Sequence, residues 1–309
     1  NVQEKPYLPL LLSEAMSDFY YKKNPKFKKE IIKANKISGL DNQKSVSQFM
    51  GEMYQNVNIY DNNILVFGKS FVSPISDNGL FYYRYYLIDS LYINDHYCYH
   101  LQFKPKRKQE LLFVGNMWIA DTVWAVKRLE MSIAGDANIN FVKMLNVTQE
   151  YAPVDSTWML GKDRLVIDFK IQKKEAGFYG RKTTSYRNIV VNKPRADDFY
   201  SKTDNLIVLE NANKKTDEFW KQNRHDTLSK NETQIYKMVD SLQNTRIYRS
   251  WQEILILFFT GYKTWDYVEI GPYYNMLSYN QHEGLRMRFG GRTSNKLSRW
   301  QEISGYAAY

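Results

Sequence analysis

Near the end of the chain, apolar and polar residues alternate with a period of two. Leu285, Met287 and Phe289 occupy one set of alternate positions, and Arg286 and Arg288 occupy the other. Successive side chains of a β-strand point to opposite faces of the sheet, so this pattern predicts a strand with one apolar and one basic face. Two interpretations are open: a half-buried strand whose basic face is in water, or a membrane-barrel strand whose apolar face is in lipid.

Upstream, runs of aromatic and β-branched residues dominate residues 79–191, and residues typical of turns separate these runs. This spacing predicts a meander of antiparallel strands rather than alternating strands and helices. The strands with the clearest predicted limits are 7–21, 29–37, 141–151 and 158–171.

Helix signals are fewer than strand signals. A short helix is expected over 45–55. Thr216 is a good N-cap for an acidic first turn, and Ser229 with Glu232 has the spacing of a capping box before a helix that ends near Leu242. The sequence therefore predicts an α+β fold, mainly antiparallel β, with helices connecting two sheet regions.

Composition narrows the class of protein. The chain has 309 residues, 25 of them Tyr, and a formal charge of +10, which suits an anionic partner. No run approaches the ~18 apolar residues that a spanning helix needs, which excludes a helical membrane protein. The chain begins at Asn1 without a signal-peptide pattern and ends at Tyr309 in a strand-like run, so we expect an internal fragment of a longer protein.

Three residues of one strand-like segment are of metal-ligating types: His96, Cys98 and His100. On a strand the two imidazoles lie about 13 Å apart, so a single ion cannot bridge them. Cys98 with either histidine remains open geometrically, but a third ligand is missing. We expect no metal and no cofactor.

Catalytic and nucleic-acid motifs are weak. His225, Asp226 and Ser229 are the residue types of a hydrolase triad, but Ser229 already serves as an N-cap and no nucleophile elbow surrounds it. The basic clusters at 22–29 and 104–108 lie in predicted turns without a nucleic-acid-binding motif. We expect a chain that is not an enzyme and does not bind nucleic acid.

Two segments that carry tryptophan predict a hairpin with a tight turn at Asp121 and Thr122. A strongly curved sheet with large apolar residues inside can hold an acyl chain, and the alternative is that these side chains fill the domain's own core. The residues expected to line such a concavity are Phe113, Trp118, Trp124 and Val126.

This hairpin, with Gly115 followed by Trp-Ile-Ala-Asp-Thr122 and Ala-Val-Lys-Arg-Leu-Glu130, resembles the central hairpin of the LolA, LolB and RseB lipoprotein-carrier fold. The resemblance covers residues 7–195. It implies an antiparallel sheet curled into a half-barrel that shelters acyl chains.

A second resemblance spans nearly the whole chain. The segments that carry it are 45–49 (SVSQF), 71–79 (FVSPISDNG), 101–110 (LQFKPKRKQE), 223–229 (NRHDTLS), 269–273 (EIGPY) and 289–294 (FGGRTS). They resemble a family of large outer-membrane proteins of Bacteroidota whose members are usually named carboxypeptidase-like regulatory domain-containing proteins. The resemblance implies a signal peptide, a small β-sandwich, the region seen here and a C-terminal transmembrane β-barrel.

The family resemblance implies a division of the chain into three parts. Residues 1–200 form a periplasmic curved sheet domain, 201–262 a helical connector in the periplasm, and 263–309 the start of an outer-membrane β-barrel. The expected barrel strands are 265–278, 285–292 and 300–309. Arg286, Arg288 and Arg292 are expected to face the barrel lumen, because arginine on the lipid face costs about 2–4 kcal/mol at the membrane midplane.

The expected function is that of a non-enzymatic outer-membrane β-barrel protein. Its periplasmic half-barrel would bind a lipid, lipoprotein or client protein for envelope transport or assembly, and its barrel would contact outer-membrane lipid. The alternatives are a structural or receptor module of the outer membrane and, ranked lower, a periplasmic hydrolase.

Overall fold

The computed structural model describes residues 12–38, 57–66, 68–135, 142–170, 177–201, 205–226, 228, 230–242, 245–247, 249–250, 253–254, 257, 261–273, 276–280, 284–294, 297 and 303–309. The chain divides into two compact units, one formed by residues 55–194 and the other by residues 1–54 together with 195–309.

Most of the described residues lie in β-strands. In chain order the strands are β1 (Leu12–Lys22), β2 (Phe27–Ser38), β3 (Asn63–Val66), β4 (Lys69–Val72), β5 (Tyr83–Ile93), β6 (His96–Pro105), β7 (Phe113–Ala120), β8 (Val126–Ile133), β9 (Val142–Val154), β10 (Thr157–Lys170), β11 (Gly177–Ser185), β12 (Leu206–Val208), β13 (Lys263–Trp265), β14 (Val268–Ile270), β15 (Leu277–Asn280), β16 (Gly284–Thr293) and β17 (Ser304–Ala308). The α-helices are α1 (Gly79–Tyr82), α2 (Asp197–Ser201), α3 (Asp217–Asn223) and α4 (Lys230–Leu242). Among the described residues all strand pairs but one are antiparallel, which confirms a mainly antiparallel β fold with a smaller helical part.

The unit of residues 55–194 is built on a seven-stranded sheet of order β11-β10-β9-β8-β7-β6-β5. Each strand pairs with its neighbour in sequence, so the predicted meander is confirmed. The tight turn predicted at Asp121 and Thr122 is wrong, because the β7–β8 connection spans residues 121–125. Thr122 and Trp124 adopt left-handed backbone angles, with φ of 68° and 54°. The Trp124 N–H donates to the Ala120 carbonyl at 3.0 Å, which closes this longer turn.

A ring contact shows that the sheet curls strongly at one end. The rings of His96 in β6 and Trp158 in β10 lie 5.0 Å apart, although three strands separate β6 from β10. In a flat sheet these strands would be about 19 Å apart, more than the two side chains can span. At this end the sheet therefore bends until side chains of non-neighbouring strands are in contact. Among the described residues the strands do not close into a barrel.

One face of the seven-stranded sheet is covered by the hairpin of β3 and β4. Phe71 of this hairpin packs against Phe113 of β7, with ring centroids 5.0 Å apart, and both side chains are fully buried. The Tyr83 hydroxyl donates to the Val72 carbonyl at 2.6 Å and accepts from the Phe113 N–H at 3.1 Å. Because these side chains are buried against each other, the hairpin and the sheet share one core. Full burial of each phenylalanine stabilises that core by about 1.5–3 kcal/mol.

Gly115 of β7 lies where this core is tightest. A Cβ atom at this position would lie 2.1 Å from the Glu130 carbonyl oxygen and 2.9 Å from the Phe103 ring. Both distances are shorter than van der Waals contact, so only glycine lets β8 and Phe103 approach this closely.

A polar network lies on the covered side of the sheet. The Gln149 amide donates to the Val57 carbonyl at 2.7 Å and to the Asp163 carboxyl at 2.9 Å, and the Tyr151 hydroxyl donates to the Gln149 side-chain oxygen at 2.9 Å. Gln149 is fully buried, and burial raises the pKa of the Asp163 carboxyl. These bonds satisfy polar groups that would be costly to bury alone, and they tie the segment at Val57 to β9 and β10.

In the other unit, β1 and β2 form an antiparallel hairpin, and β12 adds to β2 in parallel. Arg224 at the end of α3 donates two hydrogen bonds to the Glu14 carboxylate, at 2.6 and 2.8 Å, and the Tyr236 hydroxyl of α4 donates to the same carboxylate. This bidentate pair fixes both helices against β1.

The helix predictions are confirmed where the structure describes them. The Thr216 hydroxyl caps α3 by accepting from the Phe219 N–H at 3.3 Å, and α4 ends at Leu242 as expected. The capping box at Ser229 and the helix predicted over 45–55 lie outside the described residues.

The last five strands form a separate small sheet, in which β16 pairs with β14, β15 and β17. The strands predicted over 285–292 and 300–309 correspond to β16 and β17. The single strand predicted over 265–278 is wrong, because β13, β14 and β15 are three short strands there. Asp266, with a left-handed φ of 51°, lies in the turn between β13 and β14. Pro272 follows Gly271 directly after β14 and has no N–H to continue the ladder, which explains the end of β14.

The domain boundaries predicted at residues 200 and 262 stay predictions. The structure adds that the hairpin of β1 and β2 belongs to the same compact unit as β12 and the helices that follow.

Candidate functional site

The four residues predicted to line an apolar concavity do not lie together. Phe113 and Val126 are buried, and Phe113 is in contact with Phe71 of the covering hairpin. Trp118 is five positions after Phe113 in the same strand, so its side chain points to the opposite face of the sheet. Trp124 lies in the β7–β8 turn and is 69% exposed. A role for these residues in ligand binding stays a prediction.

Trp118 is the centre of a stack on the face of the sheet opposite Phe113. The His100 ring lies parallel to it at 4.6 Å, and the Arg128 guanidinium lies 5.4 Å from its centroid. His100 is itself positioned by Asp89, at 2.9 Å from Nδ1, and by Asn116, at 3.0 Å from Nε2. These contacts hold the Trp118 ring in place on the sheet.

Beside this stack lies a shallow cleft of about 400 Å³ across β8, β9 and β10. Its lining consists of charged and hydroxyl side chains: Arg128, Glu130, Thr148, Glu150, Lys162 and Arg164. Arg128 donates to the Glu130 carboxylate, so part of this charge is paired internally. A cleft of this chemistry accepts polar or charged groups rather than hydrocarbon.

The arginines predicted to face a lumen share one face of the C-terminal sheet. Arg286, Arg288 and Arg292 occupy alternate positions of β16, so their side chains leave the strand on the same side. The Arg292 Nε donates to the Glu269 carboxylate at 2.7 Å, and its guanidinium lies 4.1 Å from the Tyr262 ring centroid.

Arg288 lies 3.8 Å from the Tyr306 ring centroid. This face is therefore a network of cations, a carboxylate and aromatic rings. A position of this face in a barrel lumen stays a prediction.

The opposite face of the same sheet is apolar and exposed. Leu285 is 60% exposed and Phe289 is 69% exposed. Met287 of β16 shares this face, and cross-strand pairing adds further exposed apolar side chains, which are Leu277, Val268 and Trp265. Soluble monomers rarely leave a contiguous apolar surface of this kind without a partner.

The other chemical candidates are accounted for by ordinary contacts. His96 packs against Trp158, and the buried Cys98 thiol lies 3.5 Å from the His96 carbonyl oxygen. Burial is also the main cause that raises the pKa of the Cys98 thiol. No group of three or more His, Cys, Asp or Glu residues is placed to hold a metal ion within the part of the chain that the structure describes. Ser229 of the predicted triad lies outside that part.

In the described ranges no helix is both long enough and apolar enough to cross a membrane.

A family of unknown function, DUF5686, matches residues 7–189, which is more than half of the chain. The chain belongs to this family. No curated protein and no solved structure matches the chain. The DUF5686 region includes all strands from β1 to β11 and ends before the C-terminal sheet. Family membership therefore covers the seven-stranded sheet and its covering hairpin, and it does not extend to the arginine face.

Sequence reasoning missed the partners of the predicted arginines. Glu269 and Tyr306 reach Arg292 and Arg288 because β14 and β17 pair with β16 in a particular register. Tyr262, just before β13, contacts Arg292. The alternation within β16 was visible in the sequence. The register of its neighbours depends on connections that carry no comparable signal.

Proposed function

We propose that this DUF5686 protein is a non-enzymatic outer-membrane protein whose C-terminal sheet contributes strands to a β-barrel. The observation that carries the proposal is the division of β16 into an exposed apolar face and a face of networked arginines. The resemblance to the Bacteroidota outer-membrane family named for a carboxypeptidase-like regulatory domain supports the same assignment.

Energetics favour lipid as the medium for the apolar face. Each large side chain such as Leu285 or Phe289 gains about 1.5–3 kcal/mol on leaving water. On the other face, the ion pair of Arg292 with Glu269 and the ring contact of Arg288 suit a watery interior. If the two faces were exchanged, each arginine would lie in hydrocarbon, which costs about 2–4 kcal/mol at the midplane.

Two neighbouring alanines of β17 provide a matched test. Ala307 pairs with Phe289 on the apolar face, and Ala308 pairs with Arg288 on the arginine face. We expect Ala307→Arg to lower the fraction of protein recovered with outer-membrane lipid after envelope fractionation, whereas Ala308→Arg leaves that fraction unchanged. Recovery of the unmodified protein in the soluble fraction without detergent, or equal behaviour of the two variants, would overturn the proposal.

On this proposal residues 1–262 lie in the periplasm, and the seven-stranded sheet binds a lipid, lipoprotein or client protein for transport or assembly. Its strong curl, seen in the contact of His96 with Trp158, supports the resemblance to the lipoprotein-carrier half-barrel. Phe71 covers Phe113, so an acyl chain bound there would have to displace Phe71. We therefore expect Phe71→Ala to increase the uptake of a fluorescent fatty acid if the sheet is a carrier.

A structural or receptor module is the second candidate. The packed contact of Phe71 with Phe113 favours it, because the covered face offers no empty space to a ligand there. Equal fatty-acid uptake by the unmodified protein and by Phe71→Ala would select this candidate over the carrier.

A further inference from the structure

Four aromatic side chains form a continuous row at the curled end of the seven-stranded sheet. The rings of Tyr92 and Tyr97 are 5.1 Å apart, those of Tyr97 and Tyr99 are 5.9 Å apart, and those of Tyr99 and Trp124 are stacked at 5.8 Å. Tyr92 is 71% exposed and Trp124 is 69% exposed. We call these four residues the aromatic row. Rings of this size are normally buried, so a row in solvent indicates a contact surface.

Hydrogen bonds hold the aromatic row in place. The Tyr99 hydroxyl donates to the Asp121 carboxylate at 3.2 Å, which raises the pKa of Tyr99. The Tyr97 hydroxyl is 2.6 Å from the Ser90 hydroxyl, and the Asp121 N–H donates to the Tyr97 carbonyl at 2.9 Å. The surface is therefore formed before a partner arrives, which reduces the entropy lost on binding.

The connections at the same end of the sheet are acidic, although Lys127 at the start of β8 also lies there, over the Trp158 ring. Because the sheet is antiparallel, the connections after β5, β7 and β9 all lie at this end. They contain Asp95, Asp121 and Asp155 and neither lysine nor arginine. The connection after β6, at the opposite end, carries Lys106, Arg107 and Lys108. The negative charge of these connections contrasts with the formal charge of +10 of the whole chain.

Aromatic faces and carboxylates both attract cations. A lysine ammonium or an arginine guanidinium over a Trp or Tyr face gains from the ring quadrupole, and a carboxylate at the rim adds a charge-assisted hydrogen bond. We propose that the aromatic row, together with Asp95 and Asp121, binds an arginine- or lysine-bearing extended segment of a partner protein.

The neighbouring surface fits a protein segment. β5 is the last strand in the sheet order among the described residues, so the backbone groups along its outer side can pair with an added strand. Leu87, Ile88 and Leu91, which belong to the same strand as Tyr92, are exposed apolar side chains of β5. An extended chain with alternating basic and apolar residues would satisfy the strand edge, the rings and the carboxylates together.

This inference rests on the client-binding part of the proposed function and does not depend on the membrane part. The probe is a fluorescently labelled peptide of alternating arginine and valine, titrated with the full chain and followed by anisotropy. A peptide of alternating glutamate and valine is the charge control. Because the whole chain is basic, non-specific attraction would favour the glutamate peptide, so preference for the arginine peptide identifies the acidic end.

Variants locate the site. We expect Trp124→Ala to weaken binding of the arginine peptide about tenfold and Trp124→Phe to restore most of it, since a ring face is retained. Asp121→Asn keeps the shape of the turn and should weaken binding about two- to fivefold. Trp265→Ala removes an equally exposed tryptophan of the C-terminal sheet and should leave the affinity unchanged.

Several outcomes would overturn the proposal. Equal affinity for the arginine and glutamate peptides would do so, as would unchanged binding in Trp124→Ala or an equal loss in Trp265→Ala. If Trp124→Ala instead abolished binding to phosphatidylethanolamine vesicles, the aromatic row would be a lipid contact. Measuring envelope fractionation of Trp124→Ala and peptide binding by Ala307→Arg separates the two tests. Each variant is expected to change only the assay that concerns its own surface.

Discussion

The seven-stranded sheet and the C-terminal sheet share the alternation of apolar and polar residues, but they differ in the burial of the apolar face. In the first, the apolar side of β7 lies under the hairpin of β3 and β4, and Phe113 is fully buried. In the second, Phe289 of β16 is mostly exposed. The pattern along a strand therefore predicts which face is apolar, but it does not show what covers that face.

The largest expected difference between the sheets is in stability. Phe113→Ala should lower the free energy of unfolding by about 3–5 kcal/mol, because it leaves a cavity against Phe71. Phe289→Ala, the matched change on the exposed face, should alter it by less than about 0.5 kcal/mol in solution. Urea unfolding of the two variants measures both values. Similar losses would mean that the apolar face of β16 is also covered within the chain.

A second contrast concerns the buried carboxyl of the covered face. Burial raises the pKa of Asp163 above its ordinary value of 3.8, so the folded chain binds this proton more tightly than the unfolded chain. The stability that this carboxyl contributes is therefore lost as the pH rises from about 3.8 through the raised pKa. Asp163→Asn should therefore gain melting temperature relative to the unmodified protein over that pH interval. A melting-temperature difference that stays constant with pH would contradict this assignment.

The smallest expected effect is in the arginine face. A double-mutant cycle on Arg292 and Glu269 should give a coupling energy of about 0.5–1 kcal/mol, since both side chains are largely shielded and in direct contact. Lys263 and Glu253, 3.7 Å apart and well exposed, form the control pair and should show no measurable coupling. If the two cycles agreed, the arginine network would be an ordinary solvated surface.

Local signals in the sequence predicted local structure well. Thr216 before an acidic turn marked the start of α3, and the alternation from Leu285 to Phe289 marked β16. Both depend on residues within one turn or one strand. The failures occurred where a local signal was overridden: Pro272 ended a strand that the surrounding tyrosines favoured, and left-handed Thr122 and Trp124 lengthened a turn.

The candidate sites were predicted less completely than the strands. Apolar character alone grouped Phe113 with Trp118 and Trp124, but the parity of β7 places Trp118 on the other face and the long turn places Trp124 in solvent. The cover provided by Phe71 and the row formed with Tyr97 and Tyr99 depend on contacts between separate strands. No single window of sequence contains both partners of such a contact.

The ring contact between His96 and Trp158 depends on the number of strands that separate β6 from β10, which is three. Inserting or deleting a hairpin between these two strands would change the distance between them and break the ring contact. A relative with a different number of strands there would need another pair of side chains to close the same bend.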